Sequence, residues 1–406
     1  MNAQIQHLYD IARKTDRRII GLMSGTSLDG LDVALCRIAG SGPNTSVTLE
    51  HFATVPFAEE FKADIRTIFA KQTIDFEQLC LLNPYIGRLH GQCVLDCLHN
   101  WEIAPGEIDA IASHGQTVYH APKSQHRRDK FPNATLQIGD GDHIAAVTGI
   151  LTVSDFRQKH VAHGGEGAPL AVYGDYFMFS QPGENRILLN MGGIANFTYL
   201  PADGDASQVF TTDTGPGNTL LDAYARQFLN KPYDEDGQLA AQGRVSASLL
   251  QALTKNPFFD APFPKTTGPE VFNVPYVEEA QSRSQTLDLP AADLMATLVQ
   301  FSADTIADAI RRIIPQPNAF PGKENEVFRI YVSGGGAHNP QLTKRLYDAF
   351  PDCQFDNTDS LGINGDAKEA VLFAVLANES LAGGSTSLGD RQGVPTVSMG
   401  KISFPK

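Results

Sequence analysis

The feature that most constrains this chain is a pattern that occurs twice. An apolar strand runs into a glycine-rich turn, two more strands follow, and then a helix. The first copy predicts strands over 18–23, 32–38 and 46–55, with the turn Ser24-Gly25-Thr26-Ser27-Leu28-Asp29-Gly30-Leu31 after the first, and helices over 59–70 and 76–100. The second copy predicts strands over 186–190, 197–200 and 208–212. The turn Met191-Gly192-Gly193-Ile194-Ala195-Asn196 follows its first strand, and Asp213-Thr214-Gly215-Pro216-Gly217-Asn218 leads into a helix near Thr219. The repeat is one of architecture, with little residue identity between the halves. A third turn, Ser333-Gly334-Gly335-Gly336-Ala337-His338-Asn339, follows a strand over 328–332. Helices are expected over 291–314, 340–350 and 366–381.

Glycine removes the Cβ that blocks close approach, so such turns can bring backbone N–H groups to phosphate oxygens. The hydroxyls of Thr26 and Ser27 add donors, and Asp29 can hold a cation. One such turn is no better than an ordinary β-turn; three exceed what hairpins require. No Gly-Lys-Ser/Thr sequence and no Gly-x-Gly-x-x-Gly opening a helix is present, which removes the P-loop and disfavours a dinucleotide fold. A cleft between two duplicated lobes, with a phosphate turn from each and the third turn for an adenosine, fits the residues better. The 406 residues suit two α/β lobes, 1–145 with 382–406 and 146–381, tied by more than one crossing. The net charge of -14 argues against a nucleic-acid surface but not against ATP.

The five cysteines form no Cys-x-x-Cys pair. Cys93 and Cys97, with His90 and His99 nearby, match no zinc spacing, so buried reduced thiols are expected. The first residues carry no apolar core of signal-peptide length, and no run approaches the ~20 apolar residues of a membrane span. The expectation is a cytoplasmic protein that meets neither membrane nor nucleic acid.

Four polar sites each carry two readings. His114-Gly115-Gln116-Thr117, past a strand expected over 108–113, is a substrate contact or a structural turn; only His120 stands near as a second metal-type ligand. Arg157, after a strand over 149–154, either pairs with Asp155 or holds an anion. Asp175, behind Gly164-Gly165-Glu166-Gly167-Ala168-Pro169-Leu170, is a helix N-cap or a buried base, and the residues alone favour the cap. Asp366-Ala367-Lys368-Glu369 has capping-box spacing, which on spacing alone outweighs a metal role for Glu369.

Together these segments resemble the anhydro-N-acetylmuramic acid kinases, within the larger group of sugar kinases, Hsp70 chaperones and actin. The carriers are GLMSGTSLDGLDVAL, ASHGQTVYH, TLQIGD, VSDFR, GGEGAPL, NMGGIANF, DTGPGN, PKTTG, SGGGAHNP and GDAKEAVLFAVLA, in family order from residue 21 to about residue 377. The resemblance implies an α/β, two-lobed actin-like (ribonuclease H-like) sugar kinase fold with duplicated lobes and a central cleft. It implies ATP and Mg2+, and an activity in which water opens the 1,6-anhydro bridge of the sugar while O6 is phosphorylated. Asp175 matches the catalytic base, and Asp29 and Glu369 match positions near magnesium. Ser24, Gly25, Thr26, Ser27, Leu28, Asp29, Gly30 and Leu31 match the phosphate loop. Gly192, Gly193, Asn196, Asp213, Gly215, Gly217, Asn218, Gly334, Gly335, Gly336 and Asn339 are the further ATP-side candidates. His114, Gln116, Thr117 and Arg157 match the sugar pocket.

The chain departs from the family pattern at several points. Met23 stands where the larger group has aspartate, His160 where the family commonly has aspartate, Glu166 for a usual glutamine and Pro269 for a usual arginine. The exact anhydrosugar stays open, with levoglucosan kinases the nearest alternative and an actin-like or Hsp70-like ATPase with protein partners a remoter one. The oligomeric state also stays open, a homodimer among the options.

Overall fold

Alternating and continuous apolar runs separated by glycine turns build two mixed sheets. The computed structural model describes residues 2–26, 28–168, 170–314, 328–384, 388 and 394–406. Ser27, one of the phosphate-loop residues, and Pro169, ahead of Asp175, lie outside the described residues. The chain forms two compact units, Met1–Ser180 with Asp205–Gln208 and Gly362–Lys406, and Gln181–Gly204 with Val209–Leu361. The units divide after Ser180 and Leu361, where the sequence led us to expect 145 and 381.

In the first unit, strands β1 (Asp16–Ser24), β2 (Gly30–Ala39) and β3 (Ser46–Pro56) form an antiparallel meander. Strands β4 (Ala110–Ala121) and β6 (Thr152–Ser154) continue it in parallel from β1, β5 (Ala134–Ile138) pairs with β4, and a C-terminal strand (Lys401–Ser403) closes the edge on β6. In the second unit, β7 (Asn185–Met191), β8 (Ile194–Leu200) and β9 (Phe210–Pro216) repeat the meander. Strands β10 (Phe328–Ser333) and β11 (Gln354–Asn357) add in parallel beyond β7. Both sheets therefore carry the same spatial order, a meander read third, second, first and then two parallel strands, β4 and β6 in the first unit and β10 and β11 in the second. This is the duplicated actin-like, ribonuclease H-like fold. Each unit has its own apolar core, one around Ile20, Leu31 and Ile111 and the other around Phe197, Phe272 and Phe301.

One helix organises the first unit. The helix Lys368–Ala382 lies on β1, and Gly21 makes room for it: a Cβ there would sit 1.8 Å from the carbonyl oxygen of Ala370. Its other side meets the helix Ala171–Phe179, where a Cβ on Gly174 would be 2.3 Å from Leu372 Cδ1. Its last turn is anchored by buried polar groups. Asn378 Nδ2 donates to Gly40 O at 3.1 Å, Glu379 accepts from Gly42 N at 3.0 Å, and Arg17 Nη1 donates to Asn378 Oδ1 at 3.0 Å. Arg17 also donates to Ile11, Ala12 and Lys14 carbonyls, fixing a first helix, Ala3–Ala12, that the polar N-terminal sequence did not suggest.

Two strands run further than expected. β4 continues through His114-Gly115-Gln116-Thr117 and β9 through Asp213 to Pro216, so both stretches lie in strands rather than beyond them. Among the described residues no helix is long and apolar enough to cross a membrane. Cys93 and Cys97 are buried thiols, as is Cys36, while Cys80 is exposed.

Gly21→Ala tests the seating of the helix. The backbone contact cannot yield cheaply, so the variant should melt at least ~5 °C lower, a cost of roughly 2 kcal/mol or more. Gly106→Ala, whose Cβ would meet nothing within 4 Å, should leave the melting temperature unchanged. Calorimetry of the two variants checks both.

Candidate active site

The hairpin between β1 and β2 is held by side chains. Ser24, buried at the end of β1, donates from Oγ to Gln116 Oε1 at 2.5 Å, and Gln116 Nε2 donates to Gly25 O at 3.3 Å. Leu28 adopts φ 62 and is buried, pinning the turn to the core, while Thr26 and Asp29 stay exposed. Gln116 reaches the hairpin because β4 is irregular there: the register against β1 shifts between Leu22 and Ser24, and Gly115 has φ 75. A bulge of this kind re-aims the side chains on either side of it.

His114, on the near side of that bulge, is buried and accepts from Arg157 Nε at 2.8 Å through Nε2. An arginine only donates, so the ring is neutral with its proton on Nδ1. Burial, and then the Arg157 charge, push its pKa down to about 3. Arg157 also donates from Nη1 to Gly167 O at 2.6 Å. It does not pair with Asp155, whose carboxylate takes Lys401 instead. Burial lowers the Arg157 pKa, and the Glu369 charge opposes that shift. Gly167 is held from its other side too, donating its N–H to His160 Nδ1 at 3.0 Å. His160 and Arg157 sit three apart on the helix Phe156–Ala162, so one helical face grips both polar groups of one glycine. Burial pushes the His160 pKa down to about 4.

Asp175 is not an N-cap. It lies inside the helix Ala171–Phe179, whose N-cap position is Leu170, and is buried. Its Oδ1 is 2.8 Å from Lys368 Nζ. Nor does the capping box form. The helix begins at Lys368, Glu369 is exposed in its first turn, and the side chain that accepts the leading N–H is Asn364, from Ala367 at 2.7 Å. The first unit thus gathers Ser24, His114, Gln116, Arg157, Asp175 and Glu369 around the end of β1 and the start of one helix. Lys368 and His160 were missed as site residues. Lys368 stood inside a quoted motif, and a lysine in a first helical turn, where the macrodipole disfavours it, was the available signal.

In the second unit the Gly192-Gly193 turn is closed on itself. Gly193 O accepts from Gly217 N at 2.8 Å and Thr219 N at 3.0 Å, and Gly192 O accepts from Asn218 N at 2.8 Å. These N–H groups are occupied by glycine carbonyls. Asp213, in β9 opposite Asn196, accepts from Thr267 N at 2.8 Å, and burial raises its pKa. Gly215, further along β9, has φ 144. Gly334, at φ 81, and Gly336 both back against Met191, so the third turn stacks on the second. Asn339 caps the helix Pro340–Ala349, accepting from Gln341 N at 3.0 Å.

A cavity of about 390 Å³ opens beside these turns. Asn218, Gly335 and Asn339 line it, with Leu221, Tyr233 and Met295 as apolar walls and Asp222, Asp234, Glu235, Asp236 and His338 as polar ones. The other glycine-turn candidates of this unit do not line it. Flat apolar walls with a few amides and carboxylates suit a heterocycle bearing hydroxyls. The 233–236 wall was invisible in sequence because it belongs to a 3-10 turn, Glu235–Gly237, with no motif of its own.

Comparison with known proteins bears on these sites. The family model for anhydro-N-acetylmuramic acid kinase matches residues 17–404. A protein of that name from Pseudoalteromonas atlantica is 56% identical over 408 residues, covering 100% of both chains. One from Caldanaerobacter subterraneus subsp. tengcongensis is 37% identical over 403 residues, covering 98% of this chain and 100% of its own. Among solved structures, the activator of 2-hydroxyisocaproyl-CoA dehydratase from Clostridium difficile with bound ADPNP aligns at TM-score 0.38 and 12% identity, covering 90% of this chain and 95% of that one. The strand order, not that alignment, carries the fold.

His90, His114 and His160 are buried and neutral, with pKa values lowered from 6.5 to about 4, 3 and 4. The unfolded chain binds these protons near pH 6.5 and the native chain does not. Their contribution is intact above pH 6.5 and is lost as pH falls from there towards 4, on the order of 3 kcal/mol for His90 alone. His90→Leu should flatten the acid side of a melting-temperature profile between pH 6.5 and 4, and an unchanged slope in that variant contradicts the assignment.

Proposed function

Because the chain belongs to the anhydro-N-acetylmuramic acid kinase family, we propose that it converts 1,6-anhydro-N-acetylmuramic acid and ATP into N-acetylmuramic acid 6-phosphate, a cytoplasmic step of peptidoglycan recycling. The reading rests most on one observation. The buried carboxylate of Asp175, the neutral ring of His114 and the Arg157 guanidinium gather in one unit around the start of the helix Lys368–Ala382.

In this reading Asp175 takes a proton from the water that attacks C1. The C1–O6 bond breaks, and O6 bonds to the γ-phosphorus of ATP as the bond from that phosphorus to the bridging oxygen breaks and ADP leaves. A buried carboxylate serves as a base with little competing solvent. His114 backs the pocket as a neutral ring, its Nε2 taken by Arg157. In the first unit the exposed Thr26 is offered to phosphate, and in the second unit the cavity beside Gly335 takes the adenosine. Tyr233 and Met295 would flank the purine there.

Asp29 and Glu369, both exposed, would hold magnesium. Among the described residues no cluster of three or more His, Cys, Asp or Glu could hold a metal by itself. That fits a hard cation bound mainly by phosphate and water with one or two carboxylates. When bound it offsets charge on the transferring phosphoryl group.

Of the two readings of Arg157, its bonds favour the anion-holding one over a pair with Asp155, and the anion of this substrate is its lactyl carboxylate. Its Nε and Nη1 donate to His114 and Gly167, which fixes the guanidinium in place, and the second Nη1 hydrogen and Nη2 form the end on which a carboxylate would be received.

Coupled ATP-consumption assays with anhydro-N-acetylmuramic acid, levoglucosan and glucose test the proposal. The first sugar should be turned over fastest. Asp175→Asn should lose ~10²–10⁴-fold in turnover while ATP binding is kept. A preference for levoglucosan would move the substrate to that sugar, and near-normal turnover of Asp175→Asn would remove the base.

A further inference from the structure

The lysine at the start of the central helix does nothing for the helix that carries it. Lys368 is the first residue of the helix Lys368–Ala382, where the helix dipole repels a cation. No hydrogen-bonded cap uses it. Its Nζ instead reaches across to the neighbouring helix, 2.8 Å from Asp175 Oδ1 and 5.7 Å from the centre of the Phe179 ring. Those two residues are one helical turn apart, so the ammonium group lies along a single face of the helix Ala171–Phe179. The approach is possible because Gly174 lets that helix come against Leu372. The side chain of Lys368 is about one-third exposed and that of Asp175 almost wholly buried.

We propose that Lys368 is a positioning residue for the base, holding the Asp175 carboxylate in one orientation and balancing its charge inside an apolar helix contact. The inference rests on the reading of Asp175 as the base. A carboxylate as deeply buried as that of Asp175 needs a cation beside it to keep its charge. It also needs a fixed rotamer, because a base that swings between orientations spends most of its time away from the water. Lys368 supplies both from the same turn that carries Glu369, whose charge bears on Arg157. One turn of helix thereby sets charge on both sides of the pocket.

The test is a double-mutant cycle with Lys368→Met and Asp175→Asn. Lys368→Met should lower kcat ~10–100-fold with KM for ATP within about twofold of the parent, and Lys368→Arg should restore most of the loss. In the Asp175→Asn background the lysine change should cost nothing further, since Lys368 acts through that carboxylate. An equal loss in both backgrounds, or no loss in the parent, overturns the proposal. Failure of the base reading is separately visible, as near-normal turnover of Asp175→Asn alone. Thermal melts accompany each variant, and Lys368→Gln replaces Lys368→Met in the cycle if the latter does not fold.

Discussion

The contact on which the rest of the first unit depends is between a strand and a helix that almost touch. The Lys368–Ala382 helix can lie on β1 only because Gly21 has no side chain. From that seat its first turn reaches Asp175 through Lys368 and acts on Arg157 through Glu369. Phe373, in its second turn, packs on His114 at 4.7 Å between ring centres. The chemistry-bearing side chains come from four separated segments of sequence, and this helix is the element common to them. Its position is set by backbone contact, which is stiffer than side-chain packing because no rotamer can absorb a displacement.

The two units share a strand order but stabilise their glycine turns by different means. In the first, a carboxamide from a neighbouring strand clasps the turn, Gln116 bonding both Ser24 and Gly25. In the second, the turn's own carbonyls accept the opening N–H groups of the following helix. The first solution leaves Thr26 and Asp29 exposed at the tip; the second ties up backbone donors within the unit, beside the cavity that Gly335 lines. The two units thus share a scaffold while their turns differ in what they leave exposed.

Strand order, the glycine turns and the family were legible because they rest on local pattern: apolar runs of strand length, punctuated by glycine, in a recognisable succession. What stayed hidden depended on burial or on partners distant in sequence. Asp175 read as a cap because its neighbours in sequence resemble a helix start, whereas its burial comes from residues two hundred positions away. The strand over 108–113 seemed to end at His114 because a bulge at Gly115 interrupts the alternation that marks a strand. Arg157 and Asp155 are two apart in sequence yet take Gly167 and Lys401, a choice that only the fold can make. Lys368 was passed over because a charged residue beside a glutamate on a helix looks like solvent-facing surface.

The far end of the central helix has its own meaning. Asn378 and Glu379 bind the turn between β2 and β3, and Arg17 ties them to the first helix. Fifteen residues of helix make a rod of roughly 22 Å, gripped at one end by buried polar groups and carrying the pocket's charges at the other. A geneticist collecting inactive alleles of this gene would recover changes in residues 40–45 alongside changes in the pocket, with nothing in their positions along the chain to explain the kinship. The map of such alleles would trace the rod, and two distant stretches of the gene would behave as one locus.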